Sequence, residues 1–461
     1  MAHEPLTPED ATLWCASDPW AQLQIGALCI FDAGPLRGPD GRIRLDGLRA
    51  HVQSRLHLSP RFRQRIVPIR FDAARPAWVD DERFDITHHV RAATLPPPGG
   101  HTGLADWIDG MLGEPLDPAR PLWEIHLVDG MAEDRLALVL RVHHVMADGL
   151  ALLDAALLLL DPGPESPPSE PTNWEPEPMP RWDRLLAEAL VARIRHQFGI
   201  AVGALGLLDP RRLLSGVRAL GAAASRPSTA PTLPLTHRVG RRRHFVWTPL
   251  PMEELVAIKE RHGVTLNDVV LAVVTGALRR HLGDNHSHRL GRQPPRALVP
   301  VGNFDPATEG NRFAVTVTDL PVAIDDPIER LHLIHDGTAA NKATGPSSIT
   351  QSLFSVVDVI PLPLIRWIAP QVLSRQPFVN LAVTNIPGAR SPMYLQGARL
   401  HELHPIVTGV GNIALIIGVL SYVDHLGVGI TVDPDVITDA DALMDDVRAA
   451  TAELSAATVP R

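Results

Sequence analysis

Apolar and polar positions are most regular in RLALVLRVHH, residues 135–144, where side chains two apart share one face of an extended strand. If the strand ran to its end, Leu138, Leu140, Val142 and His144 would point one way, and Ala137, Val139, Arg141 and His143 the other. RHFVWTPL (243–250) predicts a further strand, and NIALIIGVLSYVDHLGVGITVD (412–433) predicts two long apolar strands with a tight turn around Asp424 to Gly427. Helical patterns lie between these runs. PMEELVAIKERHG (251–263) opens on Pro, carries acid in its first turn and ends on Gly263, and TLNDVVLAVVTGALRRHL (265–282) follows with Thr265 as N-cap. LALLDAALLLL (150–160) and the stretch 181–208 also read as helical. Interleaved strands and helices in both halves predict an α/β protein with large mixed (α+β) sheets and argue against a helical bundle.

A change of composition divides the chain. Pro and Glu crowd residues 161–183 too densely for helix or central strand. This predicts one lobe at 1–160, a Pro/Glu-rich linker with a crossover helix at 161–240, and a second lobe at 241–461. Apolar residues at 45% and charged residues at 21% describe a soluble globular protein, and a net charge of -9 offers nucleic acid no basic field. The first thirty residues lack a positive n-region before an apolar core, so the expected location is the cytosol. Cys15 and Cys29 are read as two reduced thiols. Leu353 to Leu373 is the most apolar long stretch, yet Asp358, Arg366 and three prolines argue against a membrane span. It would pack on the core, the more ordinary outcome, or rest on a lipid surface.

Candidate chemistry sits at HHVMADG, residues 143–149. Adjacent strand residues cannot easily reach one ion, and no third ligand is suggested by spacing, so no metal is assigned. Gly149 suits a tight turn, with Asp148 holding its geometry. A neutral imidazole with a pKa of about 6.5 is a natural general base, which makes His144 the candidate.

The string H-H-x-x-x-D-G resembles the signature of acyltransferases similar to chloramphenicol acetyltransferase and peptide-synthetase condensation domains, with His143, His144, Asp148 and Gly149 at the fixed positions. Other segments narrow the resemblance. LTPEDATLW (6–14), WVDDERFDITHHV (78–90), Pro121–Leu122–Trp123, Asn267–Asp268, the N-x-P-G of Asn385, Pro387 and Gly388, and YLQGARL (394–400) are similar, in order, to motifs of the bacterial wax ester synthase/acyl-CoA:diacylglycerol acyltransferase family. The resemblance implies two chloramphenicol-acetyltransferase-like lobes with the active site in a channel between them. It also implies transfer of a long acyl chain from acyl-CoA to the hydroxyl of diacylglycerol or a fatty alcohol, with no cofactor beyond that substrate.

In this scheme His144 is the base, His143, Asp148 and Gly149 support the turn with His143 assisting, and Trp123, Asn267, Asp268, Asn385 and Gly388 are substrate-side candidates. For Trp123 a packed anchor, and for Asn267 and Asp268 a helix cap, are the competing roles. His88, His89 and the HDG of His335 to Gly337 are read as surface or structural. Peripheral attachment to the inner membrane or a lipid droplet is implied by the insoluble acceptor. A different hydroxyl acceptor, on a polyketide or glycolipid, and a non-catalytic lipid-binding protein are the alternatives. The variable positions VMA and the Ala389–Arg390 pair after N-I-P-G depart from the usual pattern and leave acceptor preference open.

Overall fold

The computed structural model describes residues 4–17, 23–72, 74–146, 159–165, 174–184, 186–187, 191, 229–283, 293–302, 313–343 and 362–458. The described helices are α1 (Pro8–Ala16), α2 (Leu45–Arg55), α3 (Gly100–Gly113), α4 (Met252–His262), α5 (Leu266–Leu282), α6 (Pro327–Ala343), α7 (Leu362–Leu373) and α8 (Ala440–Thr458). The strands are β1 (Glu4–Pro5), β2 (Gln24–Asp32), β3 (Gln64–Val67), β4 (Ala77–Asp80), β5 (Val90–Thr94), β6 (Trp123–Asp129), β7 (Arg135–His143) and β8 (His244–Pro251), then β9 (Arg296–Gly302), β10 (Phe313–Asp319), β11 (Leu381–Ile386), β12 (Tyr394–Leu395), β13 (Ala398–Val407), β14 (Leu415–Tyr422) and β15 (His425–Val432).

Two six-stranded sheets dominate, in the orders β12-β13-β2-β7-β6-β5 and β10-β9-β11-β14-β15-β8, beside a small sheet β1-β4-β3. Both large sheets are mixed: β5 runs parallel to β6, and β11 runs parallel to β9 and β14. The turn between β14 and β15 falls at Val423 and Asp424, earlier than the sequence pattern placed it, because β15 already begins at His425. Val423 takes a positive φ of 49° there. The predicted helices over 150–158 and most of 181–208 lie outside the described residues.

Capping fixes the helices of the second lobe. Thr265 accepts from the Asp268 amide while the Asp268 carboxylate accepts from the Thr265 amide, a reciprocal box that starts α5. Gly263 closes α4 in the left-handed region at φ 66°. Pro251 is the N-cap of α4, one position before the helix proper. Helix α5 is buried on nearly every side from Asp268 to Leu278, which explains its almost unbroken apolar sequence.

The sequential division into lobes differs from the sheet topology at two strands, β12 and β13, which both belong to the first sheet. β13, from the segment read as second lobe, adds antiparallel to β2 in the first sheet, with Leu403 opposite Cys29. Strands β14 and β15 lie directly against it. A Cβ on Gly427 would sit 1.9 Å from the Leu403 carbonyl oxygen, and one on Gly429 2.1 Å from that of Pro405, so only glycine permits this backbone contact. Phe245 and Trp247 of β8 share an apolar cluster with Leu28, Val128 and Val139 of the first sheet and Leu104 and Ile108 of α3. Asp109 of α3 accepts from the Phe245 amide (2.8 Å) and pairs with His244 (2.6 Å). Cys15 and Cys29 are free and buried, and burial pushes the Cys29 thiol up to about 12.

Candidate active site

Strand β7 ends at the first histidine because its neighbours part there. The His143 amide donates to the Leu122 carbonyl beside β6 (2.9 Å), whereas the next amide, of His144, donates to Leu23 beside β2 (2.8 Å). The Met146 amide then turns back onto the His143 carbonyl (2.9 Å). His144 thus occupies the first position of the turn and is half-buried, while His143 is buried. Asp148 and Gly149, which complete the motif, lie outside the described residues.

Both nitrogens of the His143 ring are engaged. Its Nδ1 accepts from the Val145 amide (3.2 Å), so the proton resides on Nε2, which donates to Ser17 Oγ (2.9 Å) at the end of α1. Ser17 Oγ in turn donates to the Leu13 carbonyl (3.0 Å). Burial, with the neighbouring His144, drives the His143 pKa down to about 3, so this imidazole is neutral and oriented at physiological pH.

One pleat earlier, buried Arg141 donates to Glu124 Oε2 (2.8 Å) and to the carbonyls of Met111 and Glu114, tying the end of α3 to the sheet. Burial alone would raise the Glu124 pKa, but the His126 hydrogen bond and the Arg141 charge outweigh it and hold it at about 2. The sequence pattern placed Arg141 on the face of His143 without indicating this network.

The P-L-W segment supports the same strand end from the other side. Leu122 provides the carbonyl that receives the His143 amide, and Trp123 stands opposite Val142. The Trp123 side chain has no exposed surface, and its Nε1 donates to the Phe62 carbonyl (2.8 Å). Its ring stacks on His89 at 4.5 Å, and the other face of His89 lies against Phe84 at 5.2 Å. The assignment of Trp123 to substrate is therefore corrected to a packed anchor: a large aromatic with its one polar atom satisfied. His89 is structural too, donating from Nδ1 to the Trp123 carbonyl (2.8 Å).

The N-D motif is also a scaffold at its second position. Asp268 is fully buried and accepts from the Thr265 amide (2.9 Å), Thr265 Oγ1 (2.8 Å), His335 Nδ1 (2.9 Å) and Thr338 Oγ1 (2.6 Å). Burial opposes its charge, but the His335, Thr338 and Thr265 hydrogen bonds together keep its pKa below the ordinary carboxylate value. Asp268 thus joins α5 to α6 as a carboxylate with no exposed surface to offer a substrate, correcting its substrate-side assignment. The histidine of HDG, read in the sequence as surface or structural, is its structural partner. Asn267 is half-buried at the second position of α5.

The N-x-P-G segment leaves the end of β11, where Asn385 is half-buried and opposite Val419. The Gly388 amide donates to Ser421 Oγ (2.9 Å), and a Cβ at Gly388 would meet the Ser421 carbonyl at 1.9 Å. Gly388 thus permits a close backbone approach at this corner, and it is half-buried. From here the chain crosses toward β12, steadied by Tyr422, whose hydroxyl accepts from the Met393 amide and donates to the Leu400 carbonyl. Among the described residues no group of three or more His, Cys, Asp or Glu could hold a metal ion.

Comparison with known proteins matches residues 6–270 to the wax ester synthase/diacylglycerol acyltransferase catalytic domain and 309–455 to the WS/DGAT C-terminal domain. A Mycobacterium tuberculosis protein named as a diacylglycerol O-acyltransferase is 30% identical over 465 residues, covering 98% of this chain and 90% of its own length. A second from that organism, named tgs1, is 31% identical over 453 residues, covering 95% and 92%. Among solved structures, the wax ester synthase/diacylglycerol acyltransferase from Marinobacter aquaeolei VT8 superposes with a TM-score of 0.69 at 25% identity, over 99% of this chain and all of that one. The first condensation domain of the calcium-dependent antibiotic synthetase shares the fold, with a TM-score of 0.62 at 16% identity over 99% and 97%.

Proposed function

The chain belongs to the wax ester synthase/diacylglycerol acyltransferase family, and from that premise we propose that it transfers acyl groups with His144 as its general base. As a family member it is an acyl-CoA-dependent O-acyltransferase of triacylglycerol or wax ester synthesis. The observation that carries the assignment within the pair is the commitment of the His143 ring: with Nδ1 held by Val145 and Nε2 by Ser17, His143 has no nitrogen left to move a proton. Half-buried His144 is the remaining imidazole.

In the proposed reaction His144 accepts the proton of the acceptor hydroxyl as its oxygen attacks the thioester carbonyl of acyl-CoA. The tetrahedral intermediate then collapses, the C–S bond breaks, and the imidazolium returns the proton to the departing thiolate. The products are an ester and free CoA, and neither a covalent acyl-enzyme nor a further cofactor is needed. Asp148 and Gly149 would shape the turn. Of the second-lobe candidates, Asn267, Asn385 and Gly388 keep accessible surface for a substrate, whereas Asp268 does not.

Diacylglycerol or a fatty alcohol is the acceptor in this reading, so the enzyme works peripherally at an inner-membrane or lipid-droplet surface. No helix of the described residues is long and apolar enough to cross a membrane. The test is thiol release from palmitoyl-CoA with hexadecanol or dioleoylglycerol supplied separately, beside a His144→Ala variant whose fold is checked by circular dichroism. Removing a general base should lower kcat by about 10²–10⁴-fold. Unchanged turnover in the folded variant would move the base elsewhere, and release with neither acceptor would replace the acceptor class.

A further inference from the structure

A cavity of about 210 Å³ lies at the end of the first sheet where the histidine pair leaves β7. Pro121 forms part of its wall, and the next residue, Leu122, receives the His143 amide. The turn before β5 contributes His88, β5 contributes Arg91, the loop after α3 contributes Asp117 and Arg120, and β6 contributes Glu124.

Two of these side chains are guanidiniums with surface left to offer, Arg91 at 46% and Arg120 at 37% exposed. Arg91 is aimed by its Nε, which donates to the His88 carbonyl (2.9 Å), while its Nη2 stands 3.6 Å from Glu124 Oε1, too far for a hydrogen bond. Arg120 approaches Asp117 through its Nε (3.2 Å). Glu124 does not cancel Arg91, because its other oxygen is shared by His126 (3.1 Å) and buried Arg141 (2.8 Å). With Arg141 behind the wall, three guanidiniums therefore meet the two carboxylates that line the cavity. Arginines held in place but still partly open suit a phosphate, which accepts two parallel N–H bonds from one planar fork.

We propose that this pocket holds the phosphate end of the acyl-CoA donor, with Arg91 and Arg120 as the groups that bind it. The inference rests on the acyltransferase reading for the identity of the donor. The strand order is β7-β6-β5 and neighbouring strands lie about 4.8 Å apart, so β5 runs roughly 10 Å from β7. That offset suits CoA, whose pantetheine arm keeps its phosphates well away from the thioester that must reach His144. Anchoring the donor by its polar end adds the same binding energy before and during the reaction, so it lowers KM without changing the chemical step.

The experiment compares palmitoyl-CoA with palmitoyl-pantetheine, the same thioester without phosphates, as donors for the full chain and for Arg91→Gln with Arg120→Gln, checked by circular dichroism. The double variant should raise KM for palmitoyl-CoA about tenfold or more at little-changed kcat, and leave kcat/KM for the pantetheine thioester near wild type. Calorimetric titration with free CoA should show binding that weakens with salt and is lost in the variant. An unchanged KM for palmitoyl-CoA, an equal loss with both donors, or CoA binding that survives in the variant would each overturn the proposal. Wild type that binds phosphatidylglycerol vesicles through these arginines, and not CoA, would make the ligand a lipid headgroup and overturn it too. CoA binding requires no turnover, so intact binding without consumption of either donor would strike the acyltransferase reading alone.

Discussion

His143 illustrates how a buried neutral side chain couples stability to pH. In the unfolded chain its imidazole gains a proton near pH 6.5, whereas in the folded protein it stays neutral down to about pH 3. Below pH 6.5 the unfolded state binds the extra proton, so the stability contribution is complete above that pH and is lost as pH falls toward 3. The loss runs at up to about 1.4 kcal/mol per pH unit. Burial lowers the pKa values of His89 and His404 as well, and they add in the same direction. Urea unfolding at pH 7.5 and 5.0 should therefore show a smaller pH-dependent loss in His143→Gln than in wild type, by about 2 kcal/mol; equal losses would contradict a buried neutral ring. Ser17 accepts the Nε2 proton, and Ser17→Ala would strand a buried donor at a cost of about 1–3 kcal/mol. Loosening the turn should lower kcat about tenfold with KM little changed, and Ser17→Thr should restore it; a kcat equal to wild type in Ser17→Ala would remove Ser17 from the positioning of the turn. The motif identified the histidine pair, but not which ring is consumed by packing, since Ser17 comes to His143 from 126 residues away.

At the scale of elements, Thr265 and Asp268 show both what the sequence discloses and where it stops. An N-cap followed three residues later by an acid is a local pattern, and α5 starts where that pattern placed it. The other half of the site is not local. His335 and Thr338 lie three apart on α6, which puts both on one face, but nothing in the linear chain says that this face meets Asp268. Asp268→Ala would remove the box and leave two partners on α6 unsatisfied, so we expect a loss of about 2–4 kcal/mol. In thermal melts the variant should unfold several degrees earlier, while kcat/KM of the folded fraction stays near wild type. A large loss of kcat/KM at full stability would instead return Asp268 to substrate. Helix α7 had the same ambiguity: its composition allowed core or lipid surface, and its two faces divide between burial and exposure.

The two halves are tied together by β12 and β13, which the second half contributes to the sheet of the first. Periodicity predicted β7 in the first lobe and β8, α4, α5, β14 and β15 in the second, because each of these elements has a burial pattern written in its own residues. It could not predict that β13, lying between β11 and β14 of the second sheet in chain order, hydrogen-bonds along β2 of the first. Pairing partners are chosen by the packed surfaces of both strands, not by either alone. The glycines of β15 then bring the second sheet against β13 at backbone distance, leaving no layer of side chains that could yield. Gly427→Ala would drive a methyl into the Leu403 carbonyl, and overpacking against backbone should cost about 3 kcal/mol or more, read as a lowered midpoint of unfolding. The same topology decides what fragments can do. A chain ending at residue 240 lacks β13, so the β2 edge and its apolar neighbours would stand open to water or to other copies. That fragment should aggregate when produced alone and become soluble when co-produced with residues 241–461. Independent folding of residues 1–240 to a monomer with a cooperative transition would show that β13 is dispensable to the first sheet, and that the two lobes are joined more loosely than their interlocked strands require.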